Sequence, residues 1–336
     1  MRYLGIKLTP RSFLHLGERE GWLEGSRVYI PSDTLFSALC HSHLLLYGEI
    51  DSFISAFKQP EPPFLISSAF PFWGQDYYFP LPKNQLAKTK ELKKIKFVNL
   101  VLLKRLLAGD SLEDLSEEIK TNLEYDVLPR WESKAKAKAR KNEKLVPWEI
   151  ENVPRVSLNR LNNHPGENFF YFGQVKFVRK SKDHEEAGLF VLVKAIEKEW
   201  EKKVKALFRL LCDEGIGGDR TSGKGLFHQP EFFELDFPEI PEANACYAAS
   251  SYFPSEEELV ELEKAYYEVE ERKGYIFSPA NRSFRRRSLR LFVEGSVFPG
   301  LSRKGTLQDV TPEIFTGHRV YRYGLLLSFP CKLEET

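Results

Sequence analysis

Five of the eleven residues from Gly215 to Gly225 are glycine, in the order Gly215-Ile216-Gly217-Gly218-Asp219-Arg220-Thr221-Ser222-Gly223-Lys224-Gly225. Neither a helix nor an ordinary strand tolerates that density, because each glycine brings backbone freedom that regular structure must remove. The segment is therefore a loop. An amphipathic helix is expected before it, over residues 197–212, and extended chain after it, over residues 225–236. Joining a helix to a strand takes only about 2–6 residues. This stretch is longer than that and carries two cations and two hydroxyls.

Two well-known chemistries match it in spelling but not in context. Gly218 to Lys224 reads G-x-x-x-x-G-K. A P-loop, however, follows a strand, opens a helix and places Ser or Thr after its lysine. Here a helix comes first and Gly225 follows Lys224. Gly217-Gly218-Asp219 resembles the start of a cyclase GGDD loop, but Arg220 stands where a second carboxylate would be needed to hold two metals. What the loop does offer is closely approachable backbone N–H groups, the charges of Arg220 and Lys224, and the hydroxyls of Thr221 and Ser222. That set suits a sugar-phosphate backbone. The plainer reading, a tight connection with incidental charge, stays open beside it.

The remainder of the 336-residue chain sets the frame. Hydrophobic residues make up 42% and charged residues 29%, as in a globular protein. At roughly 150 residues per domain this suggests two domains. Forty-nine basic residues face forty-eight acidic ones, so partners must be sought in local patches. No apolar run approaches the ~18 residues of a membrane span. Cys40, Cys212, Cys246 and Cys331 are scattered, with neither metal-ligand spacing nor a disulfide framework. The expectation is a cytoplasmic protein with no metal, no cofactor and no membrane partner. Residues 130–144 carry seven Lys or Arg against two Glu, a basic mobile insertion or a solvated helix. Residues 254–271 carry eight Glu and one Lys.

The periodicity gives a first strand over residues 2–9. A helix opens at Pro31-Ser32-Asp33-Thr34, with Ser32 as its N-cap and Gly48 as its stop. An aromatic hairpin or loop is expected over 64–82 and a helix over 98–120. A β-hairpin follows from 153–163 and 169–178, then a strand over 188–195. Strands dominate from Ala245 onward. The fold class is α+β. The strand–helix–strand–strand–helix–strand flavour suggests two ferredoxin-like modules, residues 1–236 and 237–336.

Other residues carry candidate contacts to nucleic acid. Helix entries attract phosphate, so Ser32 and Thr34 qualify, although capping alone accounts for Ser32. Arg11 and His15 precede that helix. Arg155, Ser157 and Asn159 fall on one face of a strand, with Arg160 beside them, as a reader of splayed single strands or as a solvated hairpin face. Arg282, Arg285, Arg286, Arg287 and Arg290 surround Phe284, suiting either RNA or a protein interface. The aromatic residues of 70–79 fit core or a protein interface better than base stacking.

The segment 215–227, GIGGDRTSGKGLF, resembles the glycine-rich signature of the RAMP superfamily, the RNA-binding subunits of CRISPR effectors. Pro31 to Leu39 and His318 to Leu325 resemble the first-helix entry and terminal strand of its fourth-subunit family in type III-A Csm effector complexes. The likeness implies two ferredoxin-like (RRM-like) domains with an inserted β-thumb that begins near Arg155. It implies a non-catalytic subunit holding the 5′ repeat-derived handle of the guide RNA. Its neighbours would be the large polymerase-like subunit and the first backbone RAMP subunit. Gly217, Gly218, Arg220, Thr221, Ser222 and Lys224 would carry the loop's share of RNA contact. A competing reading is a metal-independent endoribonuclease that processes precursor guide RNA, with His15 as base and Arg11 or Lys7 as its cation.

Overall fold

The computed structural model describes the chain apart from residues 19–21, 91, 117, 118, 120–126, 130–146, 159, 160, 163, 165–168, 180–184, 196, 279–283 and 334–336. The basic segment 130–144, Asn159, Arg160 and Arg282 thus lie outside the described residues.

In chain order the elements are β1 (Arg2–Leu8), α1 (Ser32–Tyr47), α2 (Asp51–Phe57), β2 (Phe64–Ile66), β3 (Phe70–Trp73), β4 (Asp76–Pro80), β5 (Ile95–Asn99), α3 (Leu100–Ala108), β6 (Val127–Pro129), β7 (Trp148–Val156), β8 (Phe169–Phe177), β9 (Ala187–Ala195) and α4 (Lys198–Glu214). They continue with β10 (Glu231–Asp236), β11 (Ala245–Ala248), β12 (Val269–Arg272), β13 (Leu289–Phe292), β14 (Val297–Pro299), β15 (Gly305–Asp309), β16 (Tyr321–Leu325) and β17 (Ser328–Cys331).

The architecture is mixed α/β built on antiparallel sheets. An eight-stranded sheet runs β10-β1-β9-β3-β4-β5-β6, with β2 also on β9. β9 is its centre, and from Ala187 to Val193 it is buried without interruption. That explains why the strand reads as a continuous apolar run rather than an alternation. α4 buries Val204, Leu207, Phe208, Leu211 and Cys212, a stripe at helical spacing, and packs on α1. β3 and β4 form the aromatic hairpin, and Phe70, Phe72, Tyr78 and Phe79 go into the core. The expected helix over 98–120 is shorter: α3 ends where Gly109 takes a left-handed conformation.

Past Asp236, β11 lies between β14 and β17, and β12-β13 and β15-β16 are hairpins. The acidic stretch forms a 3-10 helix, Glu257–Lys264, and β12. The larger hydrophobic cluster spans both parts, and a smaller one, with Cys246, Tyr252, Phe298 and Leu326, lies within the C-terminal part. Phe329 of β17 lies 5.5 Å from Tyr3 and 5.9 Å from Phe79, centroid to centroid. Tyr323 of β16 lies 4.9 Å from Phe36 of α1.

Helix α1 corrects one expectation. Its N-cap is Pro31, whose carbonyl accepts from the Thr34 and Leu35 N–H groups at 3.0 and 2.9 Å. Ser32 is the first helical residue and fully buried. Its N–H donates to Ser68 Oγ, and its own Oγ accepts from the Ser251 N–H. Ser32 therefore ties the helix start to both parts of the chain, and its hydroxyl faces the interior rather than a ligand.

Candidate nucleic-acid interface

The glycine loop is held in shape by its neighbours. Ile216 N–H donates to Gly225 O at 3.0 Å, closing its base. Gly218 N–H donates to His15 O and Gly225 N–H to Phe13 O, each at 2.8 Å, so the loop lies along residues 13–15. A Cβ at Gly217 would fall 2.4 Å from His15 O, and one at Gly218 2.7 Å from His15 Cδ2. Glycine is required there for close backbone approach. Asp219, Arg220 and Gly223 shape a short 3-10 turn with Asp219 and Gly223 left-handed. Thr221, Ser222 and Gly223 are exposed at its tip.

Asp219 organises the cations. Its carboxylate accepts from Arg155 Nη2 and Ser222 Oγ at 2.6 Å each, and Lys224 Nζ lies 3.3 Å away. Burial works to raise its pKa, but the hydrogen bonds from Arg155, Ser222 and Lys224 outweigh it and hold it at about 2. Arg155 and Lys224 each sit 4.5 Å from the Phe172 ring of β8, and His15 packs on the same ring at 4.0 Å. One aromatic ring thus carries two cations and an imidazole. Lys224 is only 9% exposed. Burial lowers its pKa, Asp219 opposes this, and Arg155 adds to it.

The predicted residues separate into groups. Gly217, Gly218, Arg220, Thr221, Ser222 and Lys224 share the loop, and Arg155 and His15 join them through Asp219 and Phe172. Arg220 lies 4.5 Å from the ring of Phe277. Arg11 is exposed nearby, and its N–H donates to Leu226 O at 2.8 Å. Ser157 is exposed just beyond the end of β7. Asp219 and Phe172 escaped the sequence reading. Strand register offers a signal for the second, because Arg155 pairs with Phe170 and Phe172 is its diagonal neighbour.

His15, weighed above as a general base, is buried against the loop. It is 6% exposed, and its Nδ1 and Gly173 O form a 2.6 Å hydrogen bond. Burial lowers its pKa, more than the Gly173 bond raises it, and Lys224 lowers it further. Lys7 is occupied elsewhere: its Nζ donates to Gly74 O at 3.1 Å and sits over Phe72 at 4.8 Å.

Thr34 and Arg286 belong to a second place, a cleft of about 1370 Å³ between the N-terminal part and β12. Asp33, buried at the start of α1, is ion-paired there with Arg322 of β16. Arg272 of β12 approaches the same carboxylate at 3.8 Å. Burial opposes the charge of Asp33, but Arg272, Arg322 and Arg286 outweigh it and keep the pKa below the usual range. Arg285 lines the same cleft, is exposed, and its Nε donates to Tyr275 Oη at 3.3 Å. Asp33 and Arg322 come from the two short segments singled out beside the loop, 289 residues apart.

Among the described residues no cluster of His, Cys, Asp and Glu could hold a metal ion, and no helix is long and apolar enough to cross a membrane. The fold and loop define an antiparallel α/β chain with a glycine-rich helix-to-strand signature. Residues 8–228 match the RAMP superfamily, and the chain belongs to that family. Residues 242–331 match the CRISPR Csm4 C-terminal domain. The "CRISPR system Cms protein Csm4" of Methanocaldococcus jannaschii is 25% identical, over 100% of this chain and 99% of that protein. A chain in a crystal structure of a Csm3-Csm4 subcomplex in the type III-A CRISPR-Cas interference complex is similar in fold, with TM-score 0.64 at 20% identity, 99% of this chain and 100% of that one covered. A Csm1-Csm4 cassette in complex with pppApA contains a chain that matches with TM-score 0.55 at 18% identity, each chain covered in full.

Proposed function

We propose that this chain is a non-catalytic RNA-binding subunit of a type III-A CRISPR interference complex, and that it holds the 5′ repeat-derived handle of the guide RNA. The observation that carries this reading is the Asp219-centred loop. It fixes Arg155 and Lys224 against Phe172 and leaves the Thr221-Ser222-Gly223 tip free to meet a sugar-phosphate backbone. Cations held in place before binding lose little freedom when a phosphate arrives.

Finer structure is part of the same reading. Residues 1–236 form one ferredoxin-like domain, supported by the strand order β10-β1-β9-β2 with α1 and α4 as its crossovers. The β7-β8 hairpin is its thumb, supported by its separate two-stranded pairing and by the exposed Phe169 and Tyr171. Residues 237–336 form the second domain, supported by the match over 242–331. The partners are the large polymerase-like subunit and the backbone RAMP subunit in the cytoplasm, supported by the solved complexes of Csm4 with Csm1 and with Csm3.

The test puts an acid at the loop tip. Thr221 is exposed, so Thr221→Glu leaves folding intact and sets a negative charge against the phosphates. With the subunit in its reconstituted complex, affinity for handle RNA falls about tenfold or more, the scale of one lost charged hydrogen bond with added repulsion. Unchanged affinity with unchanged melting temperature would refute the loop's role.

A further inference from the structure

We propose that the arginine cluster around Asp33 is a second phosphate site, which takes one backbone phosphate of the bound RNA at the seam between the two parts of the chain. The proposal rests on the RNA-binding reading above and adds a place the loop does not reach. Three guanidiniums, from β12, β16 and the segment between β12 and β13, surround one carboxylate. Arg272 and Arg322 are 8% and 3% exposed, and Arg286 lines the same cleft.

Five glutamates line the cleft, Glu294 among them acting on Arg272, but eight Lys and Arg side chains face them. Arg322 takes Asp33, and its Nη2 also donates to Lys273 O at 2.7 Å. Arg272 Nη1 lies 3.3 Å from Glu270, which is shared with Arg27. Glu294 is committed to Ser68, Ser251 and Tyr29. Arg286 has no ion pair among the described residues. Burial first, and then repulsion from Arg322, bring its pKa to about 10.

The donors point to the class of ligand. Arg272 Nη2, Arg286 Nε and Arg322 Nε are buried and lack hydrogen-bond acceptors among the described residues, while Arg272 Nε and the equally bare Asp33 Oδ1 face each other at 3.8 Å. Buried guanidinium N–H groups left bare are costly, and a tetrahedral oxyanion supplies several acceptors at once. The cleft encloses about 1370 Å³, and Thr34 adds a hydroxyl at the positive end of the α1 dipole. A carboxylate ligand would present two oxygens in one plane. Guanidiniums arriving from three separate segments suit phosphate better.

The test uses Arg286→Gln and Arg286→Lys in the full chain, beside Thr221→Glu, with handle RNA titrated across a salt series. Arg286→Gln weakens RNA binding about tenfold. It also flattens the log K against log salt slope by about 0.7, the value for one phosphate contact on a single strand. The RNA-free protein melts close to wild type, because the variant removes both the repulsion from Arg322 and the attraction to Asp33. Arg286→Lys keeps most of the slope, and if the Gln variant proves unstable Arg286→Met, which keeps the apolar stem without the charge, is titrated in its place. If Thr221→Glu weakens binding while Arg286→Gln leaves affinity and slope unchanged, this site is refuted and the loop reading stands. If neither variant weakens binding, the RNA-binding reading itself fails. If inorganic phosphate raises the melting temperature of wild type more than that of Arg286→Gln while the RNA slope is unchanged, the site serves a small phosphate compound and the RNA assignment is overturned.

Discussion

At the scale of single residues, charge placement decides more than charge count. Arg155 and Lys224 were visible in the sequence as cations near a glycine loop, but the acid that fixes them was not. Asp219 sits inside a motif whose spelling suggests metal chemistry, and only the fold reveals that Arg155 and Lys224 close on its carboxylate. Its depressed pKa has a consequence for stability. The unfolded carboxyl titrates near the ordinary 3.8 and the folded one near 2, so the stabilisation is complete above about 4 and is lost as pH falls through 2. Asp219→Asn removes that acid limb and strands Lys224 against an aromatic ring without its counterion. We expect a loss of about 1–3 kcal/mol near neutral pH, between the exposed and buried limits for broken ion pairs. Urea unfolding at pH 7 and across pH 2–5 checks both parts. A variant whose acid limb matches wild type would remove Asp219 from this role.

At the scale of elements, the β7-β8 hairpin and the loop are one device joined through a single ring. The hairpin was legible because polar and apolar residues alternate. Its bounds were not, since β7 starts at Trp148 and carries Pro154 inside an edge pair where no ladder N–H is needed. Phe172 and Phe169 lie on the same strand with opposite duties: Phe172 is buried under Arg155, Lys224 and His15, and Phe169 is exposed. Phe172→Leu keeps apolar volume but removes the π face. Its expected cost is about 1–3 kcal/mol, from lost cation–π contact and imperfect packing. Phe169→Leu should stay within about 0.5 kcal/mol. Denaturant midpoints at constant m-value measure the difference. Equal effects at the two positions would mean that the ring does not join hairpin to loop.

At the scale of the whole molecule, the sequence divides more cleanly than the structure does. Periodicity and length suggest two modules, the first running through the glycine loop to residue 236. Long-range pairing leaves no local trace, however: Asp33 and Arg322 meet across 289 residues, and Phe329 reaches back to Tyr3 at the other end of the chain. Ser32, which reads as a cap, is instead a strut between Ser68 and Ser251. A core shared in this way should unfold as one unit. Calorimetry of the full chain is therefore expected to give one transition, with calorimetric and van't Hoff enthalpies in agreement. Asp33→Asn should cost about 3–5 kcal/mol, because it leaves Arg322 buried without its carboxylate, and Arg322→Gln should cost less, because Arg272 and Arg286 still face Asp33. The double variant should cost less than the two together, with a coupling of about 0.5–3 kcal/mol. Two separate transitions, with Asp33→Asn moving only the first, would mean that the seam is a contact between independent domains. Additive costs would mean that Arg272 and Arg286 compensate fully for Arg322, and the charge at the head of α1 would then belong to the cluster rather than to one pair.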